Sequence, residues 1–374
     1  MNLDGLNNNT AESIWAHFGP YYAMFPMSFA FDVVKKYSKE GDIILDPFAG
    51  RFTSIYAGGI LNRESIGIEI NPVGWLFGVA KLHPAEKESI ISRLEEVYKK
   101  RNYYKKKACN MPEFYHLCFC DEVLKFLLSA RNNLDWKNSQ VDATLMAFLL
   151  VYLHGKKGQS LSNQMRITKS MGMDYSIAWW KKNKMEVPPQ INPYEYILGR
   201  INWRYKNGTP HVGVNSVLLG DSTIELDKIS CSLKENNEKI SLLFTSPPYY
   251  SITDYHADQW LRLWLLGGDE KLTYSKEKYK GRFVNQEEYY ELLDTVFSKC
   301  SELMSDDAVV FVRTDAREFT LNATLQILKK NFPDYTISKR LNKLKKKSMS
   351  QTVLYGNTSS KPAEVDILLR RIKT

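Results

Sequence analysis

In the first quarter of the chain, short apolar runs bounded by turn residues alternate with stretches of helical spacing. Ile43, Ile44 and Leu45 lie between Gly41-Asp42 and Asp46-Pro47 and fit a buried strand. Residues 53–61 predict a helix, SIGIEI at 65–70 predicts a second strand, and another helix is expected after Pro72. Strand, helix, strand in that order implies a right-handed crossover between parallel strands. From residue 99 to residue 212 the rhythm changes. Apolar stretches of helical length, at 124–128 and 143–153, are separated by basic, aromatic, turn-rich pieces such as RNYYKKK, HGKKGQS and AWWKKNKMEVPPQINP. Strand-like runs return at 214–219, 242–244 and 309–312, and in EVDILLRR near the end. The pattern predicts an α/β protein with a mainly parallel twisted sheet, carried by residues 1–98 and 213–374. A mostly helical lobe, residues 99–212, interrupts it.

Composition narrows the class. Twenty Gly and 14 Pro in 374 residues exclude collagen-like and broadly disordered chains. No apolar run reaches the ~18 residues of a membrane-spanning helix, and the polar, acidic start MNLDGLNNNTAES is unlike a secretory signal. Five scattered Cys make no disulfide framework. A cytoplasmic protein without a membrane partner is expected. The charge is more informative. The net charge is +9, and residues 95–212 hold 19 Lys and Arg against 10 Asp and Glu, an excess equal to that of the whole chain. A second basic run extends from Lys339 and Arg340 through Lys343, Lys345, Lys346 and Lys347. Such concentrations suit a phosphate-rich partner.

Two segments carry candidate chemistry. In DIILDPFAGRFTS, residues 42–54, a strand ends at Asp46 and Gly50 permits a tight turn into a helix, whose N-terminus is a generic nucleotide-binding device. The next strand ends in Glu69, whose carboxylate is placed to accept hydrogen bonds from both hydroxyls of a ribose. In LLFTSPPYY, residues 242–250, Ser246-Pro247-Pro248-Tyr249 directly follows an apolar strand. Two prolines neither donate to a ladder nor continue a helix, so they hold an extended loop at the carboxyl end of the sheet. A Ser hydroxyl and a Pro carbonyl there suit a planar amino group, and Tyr249 offers a stacking face.

With these segments in hand, the chain resembles the S-adenosylmethionine-dependent DNA amino-methyltransferases that carry a Ser-Pro-Pro-Tyr catalytic loop. The resemblance spans roughly residues 15–98 and 213–374 and leaves the lobe unmatched. It implies a Rossmann-like class I methyltransferase fold with S-adenosylmethionine as cofactor. DPFAG is similar to the cofactor loop (Asp46, Pro47, Phe48, Ala49 and Gly50, with Thr53 beyond), and GIEINP to the ribose-binding strand end, with Glu69 and Ile70. LLGDS at 218–222 resembles the adenine-contacting segment, with Asp221 and Ser222. PYYAMFP at 20–26, including Tyr22 and Pro26, resembles the segment that closes over the methionine end of the cofactor. TSPPY at 245–249 matches the catalytic loop, with Ser246, Pro247, Pro248 and Tyr249 catalytic and Thr245 against the cofactor. One position departs: where the family's loop usually has a second glycine, this chain has Phe52. Because Asp221 follows the insertion, the lobe enters between the second and third core strands.

The resemblance implies methyl transfer to the exocyclic amino nitrogen of a flipped base in double-stranded DNA, with cytosine N4 favoured over adenine N6 because the loop begins with Ser. The lobe would recognise the target. Lys156, Lys157, Arg166, Arg200 and Arg204, with Tyr250, Lys345 and Lys346, are the candidates for DNA contact. A partner nuclease or defence-system subunit fits such an enzyme, and an RNA base methyltransferase or a degenerate DNA-binding subunit is the rival reading. Asp254, Tyr255 and Asp258 are candidates for the pocket rim, whereas the spacing of Trp260, Leu263 and Trp264 predicts core packing. Cys118-Phe119-Cys120 with His116 is poor zinc spacing, so no metal is expected.

Overall fold

The computed structural model describes residues 9–21, 24–251, 255–272, 285–342 and 363–372, excluding the side chains of Tyr255 and His256. Its strands are β1 (Ile43–Asp46), β2 (Glu64–Glu69), β3 (Asn215–Leu219), β4 (Ile240–Thr245), β5 (Met304–Asp315), β6 (Tyr335–Asn342) and β7 (Glu364–Arg371). They form one sheet in the order β3-β2-β1-β4-β5-β7-β6. β1 to β5 pair in parallel, while β7 runs antiparallel to β5 and β6. The mainly parallel sheet is what the alternating strands and helices imply, and its order fits the Rossmann-like fold that the resemblance implies.

β6 is the strand that the hydrophobic pattern did not announce. Its apolar residues do alternate (Tyr335, Ile337, Leu341), but the strand sits at the sheet edge and is mostly exposed. Lys339 and Arg340, assigned above to a basic run, are side chains of this edge. Charge on an edge strand opposes pairing with another chain.

Each face of the sheet has its own apolar layer. Ile44, Leu242, Phe244 and Phe311 face one cluster, and their neighbours Ile43, Leu45, Leu243, Val310 and Val312 face the other. That split follows from the two-residue period of a strand. Helices from residues 87–204 join the first cluster, among them Lys87–Lys99, Asp121–Asn133, Gln140–Tyr152 and Pro193–Arg204. Gln140–Tyr152 is apolar on nearly all sides and buries an unbroken run from Asp142 to Leu150, as a helix enclosed by neighbours must. Trp260 and Trp264 are buried in the same cluster, the core role their spacing predicts.

Phe52 shows how the chain tolerates the missing glycine. The residue keeps the left-handed backbone, at φ 60° and ψ 42°, just before the helix Thr53–Ile60. A bulky residue there costs about 1–2 kcal/mol. The ring is fully buried, turned into the core instead of toward the open end of the sheet. It fits because two glycines receive it: a Cβ on Gly67 would lie 2.7 Å from the ring, and one on Gly78 2.3 Å from it. Gly78→Ala is therefore expected to cost about 1–3 kcal/mol by overpacking, and Phe52→Ala about 3–5 kcal/mol through the cavity it leaves. In urea denaturation the double variant should lose clearly less than the sum of the two single losses.

Candidate active site at the switch point of the sheet

The strand order reverses between β1 and β4, which makes the carboxyl ends of these neighbours the ligand crevice of an open α/β sheet. Asp46 ends β1 and is 1% exposed. Its carboxylate accepts hydrogen bonds from the Phe48 backbone N–H at 3.1 Å, from the Ser54 hydroxyl, and from the Thr245 hydroxyl at 2.6 Å. Burial raises its pKa to about 6 despite these three donors. The turn after β1 and the loop after β4 are thereby fixed to one carboxylate. The polar atoms of Asp46 and Thr245 are thus engaged with each other inside the protein.

Around this bracket the expected cofactor residues converge. Glu69, at the end of β2, accepts from the N–H of Gly50 at 2.8 Å and the N–H of Asn71 at 2.7 Å. The residue is half-buried, and desolvation of its carboxyl group raises the pKa to about 8, with Asp46 nearby adding to the rise. Two bonds leave acceptor capacity on a carboxylate with about four lone-pair sites. Ile70 beside it is 38% exposed, an apolar surface at the strand end. Gly50 has φ +56°, a conformation that glycine reaches without strain. Pro47 and Ala49 are buried and Phe48 half-buried. The Pro47 carbonyl accepts from the buried Ser222 hydroxyl, and the Ala49 N–H donates to Ile68 at 2.9 Å. Asp221 caps the helix Ser222–Glu235 through Thr223, at 3.0 Å to its N–H and 2.8 Å to its hydroxyl.

The N-terminal segment lies over this turn. The buried Arg51 donates to the carbonyl of Gly19 at 3.0 Å and to the hydroxyl of Thr53 at 3.2 Å. Lys81, fully buried, donates to the Arg51 carbonyl at 2.6 Å. Pro26 leads into the helix Met27–Tyr37. Tyr22 falls outside the described residues, as do Asp254, Lys345 and Lys346. Arg51 and Lys81 were not singled out from the sequence. Nothing in a turn motif marks its variable position as a clasp for another segment.

Beyond β4, Ser246 donates its hydroxyl to the Arg313 carbonyl at 2.9 Å. The Pro248 carbonyl accepts from the Tyr289 hydroxyl at 2.9 Å, while Pro247 is buried. Tyr249 is buried at 4% exposure, and Tyr250 packs edge-on to Phe319 and Tyr289 with centroids 4.7 and 5.5 Å away. Two arginines on neighbouring elements support this loop. Arg313, fully buried, pairs with Asp366 at 2.6 Å and lies 3.5 Å over the Phe29 ring. Arg317 pairs with the buried Asp315 at 2.7 Å and also donates to the Tyr250 carbonyl. Asp366 and Phe29 for Arg313, and Tyr250 for Arg317, lie more than 50 residues away in sequence, so only the fold brings these groups together.

The lobe candidates divide. Lys156 and Lys157 are exposed in a turn whose base is closed by the Met165 N–H on the Gly155 carbonyl at 2.8 Å, and exposed Arg166 follows it. Arg200 is half-buried over the rings of Tyr152 and Tyr196. Arg204 is buried, donates to the Ile14 carbonyl and packs against Trp15, Phe18 and Trp203. The expectation of a DNA contact does not hold for Arg204, whose guanidinium is enclosed in the core. Asp258 pairs with Lys169 at 2.6 Å.

The family model described as DNA methylase, of the N6/N4 methyltransferase kind, matches residues 3–73. Those residues are similar to an amino-methylating DNA methylase. The stretch contains the Asp46 turn and Glu69 and ends before the Ser246 loop. Among solved structures, the rRNA methyltransferase aviRa from Streptomyces viridochromogenes is 8% identical at a TM-score of 0.37, covering 98% of this chain and 94% of its own. TrmN from Thermus thermophilus is 8% identical at 0.34, covering 96% of this chain and 52% of that one. A putative rRNA-methylase from Clostridium thermocellum, also 8% identical at 0.34, covers 93% and 98%. No curated protein matches. The match over residues 3–73 and the strand order together support a methyltransferase that uses S-adenosylmethionine.

The two raised carboxyl pKa values predict a pH dependence. A carboxyl whose pKa is higher in the folded state binds its proton more tightly there, so stability falls as pH rises from the unfolded to the folded pKa. For Asp46 the loss is complete near pH 6, and for Glu69 near pH 8. Urea midpoints of Glu69→Gln should fall less than those of the wild type between pH 5 and pH 8. Parallel curves would mean that Glu69 is not held protonated.

Proposed function

We propose that this protein is an S-adenosylmethionine-dependent DNA methyltransferase acting on an exocyclic amino nitrogen, with cytosine N4 favoured over adenine N6. The observation that carries the reading is the direction of the Ser246 hydroxyl. A carbonyl cannot donate, so in the 2.9 Å contact to Arg313 the Ser246 hydroxyl is the donor, and toward any further partner Oγ acts as an acceptor. An acceptor is what an amino group requires. Its nitrogen lone pair is delocalised into the ring, and accepting its hydrogens at Ser246 Oγ and the Pro247 carbonyl favours a pyramidal, nucleophilic nitrogen. The Pro248 carbonyl is already taken by Tyr289. Positioning and preorganised polar contacts then supply the rate.

The residues at the β1 and β2 ends fit the cofactor. The half-buried Glu69 carboxyl group suits ribose hydroxyls, the exposed Ile70 a flat ring, and the Gly50 turn a close backbone approach. S-adenosylmethionine supplies an electrophilic methyl group. The Asp46–Thr245 bond keeps this half of the site in register with Ser246. Phe52, with its ring in the core, does not obstruct it. The target base would be flipped to reach the loop, and exposed Lys156 and Lys157 would meet phosphates. A restriction or phage-defence partner is consistent with such an enzyme.

Nucleoside mass spectrometry on DNA from a methylation-deficient host expressing the chain should show 4-methylcytosine. 6-Methyladenine would change the target base alone, and a modified base in RNA only would overturn the DNA reading. Ser246→Ala should lower methyl transfer by about 100-fold or more while calorimetric binding of S-adenosylmethionine stays unchanged. Lys156→Gln combined with Lys157→Gln should flatten the salt dependence of duplex DNA binding by roughly 2 in log–log slope.

A further inference from the structure

A second recess lies outside the sheet, in the helical segment. It encloses about 210 Å³, walled by Met165, Met171, Tyr175 and Trp179 with Arg166 at its edge. Ser176 lines it too and is 3% exposed. The Ser176 hydroxyl is closed off from solvent and has no hydrogen-bond partner among the described residues. A helical serine ordinarily bonds the carbonyl four residues back, and a buried unsatisfied hydroxyl is costly to keep. A recess walled by two aromatic rings suits a flat molecule.

The surroundings indicate which flat molecule. Tyr175 is 56% exposed and Trp179 half-buried, so their faces are accessible from solvent. Arg166 is exposed and has no ion pair among the described residues. Lys182 and Lys184, at and just beyond the end of the helix Met173–Lys182 that carries Tyr175, Ser176 and Trp179, are exposed, as are Lys156 and Lys157 on the turn before Arg166. No acidic residue among those described lines the recess. Aromatic side chains with cations on the same helix and the adjoining turn are the combination that binds single-stranded nucleic acid, the rings taking bases and the cations phosphates.

The recess is also tied to the helix that follows the Ser246 loop in sequence. That helix, Tyr255–Leu265, grips residues 167–171 at four points. Arg262 donates to the Ile167 carbonyl at 2.7 Å, Gln259 to Thr168 at 3.2 Å and Trp260 to Met171 at 3.0 Å. The Ser170 N–H donates to the Asp258 carbonyl at 2.7 Å. Trp180 closes the floor by donating to the Gln164 carbonyl at 2.8 Å.

We propose that this recess binds one unstacked nucleobase of the DNA substrate, other than the base that is methylated. The ring stacks on Trp179 and Tyr175, and Arg166 holds the adjoining phosphate. The inference rests on the DNA methyltransferase reading above and adds a recognition subsite to it.

The test is binding of the full chain to a single-stranded oligodeoxynucleotide and to an abasic chain of equal length, read by fluorescence anisotropy over a salt series. Trp179→Ala should weaken binding of the base-bearing strand roughly 5- to 150-fold, leaving the abasic chain and the salt slope unaffected. Tyr175→Ala, an exposed position that does not endanger folding, should act in the same direction. Arg166→Gln should weaken both ligands and reduce the slope by about 0.7. Unchanged affinity in both aromatic variants, or equal losses for the two ligands, would overturn the subsite while a wild type that methylates DNA left the enzyme reading intact. A wild type that neither methylates DNA nor binds the strand would remove both.

Discussion

The candidate site depends on one buried carboxylate with donors from two loops. Asp46 receives the Phe48 amide, the Ser54 hydroxyl and the Thr245 hydroxyl, so the turn after β1 and the loop after β4 cannot shift independently. Burial disfavours its charge, and the three donors favour it. The balance leaves the pKa near 6. A carboxylate in this position converts the topological reversal between β1 and β4 into a fixed spacing between two half-sites. Glu69 repeats the device on the β2 side by holding the Gly50 amide.

Much of the remaining scaffold is held by cations that face carbonyl oxygens. Arg51 clasps the N-terminal segment through Gly19, Lys81 clasps Arg51, and Arg204 clasps Ile14. Arg262 joins Leu150 and Ile167. Burial depresses the pKa of Arg51 to about 10 and that of Arg262 to about 9. Arginine suits this use because its planar fork satisfies several acceptors at once and remains charged under such a shift. The positive charge of the helical segment therefore serves two ends. Arg204 is structural, whereas Lys156, Lys157 and Arg166 stand at the surface. Net charge alone does not distinguish them.

Phe52 carries a similar lesson about motifs. Read along the chain, a phenylalanine in place of glycine threatens the cofactor turn. In the fold it adopts a left-handed backbone, which glycine favours, and places its ring against Gly67 and Gly78. The compensation lies 15 and 26 residues downstream, beyond what a short motif describes.

What the chain determined by itself was local. Apolar runs ending in Asp46, Glu69 and Thr245 marked strands whose carboxyl ends carry polar groups, and the crossover rule made them parallel. The spacing of Trp260 and Trp264 marked a core face. These survive because burial of alternating or helically spaced apolar residues is the strongest term in placing an element. The edge strand β6 was harder to read, since few of its side chains are buried and the alternation is faint. Tertiary structure alone decided which basic residues are enclosed, which way the Phe52 ring turns, and that the Ser246 hydroxyl donates to the Arg313 carbonyl. Each outcome depends on a partner distant in sequence, and hydrogen bonds and close packing are fixed only when the fold brings the two together.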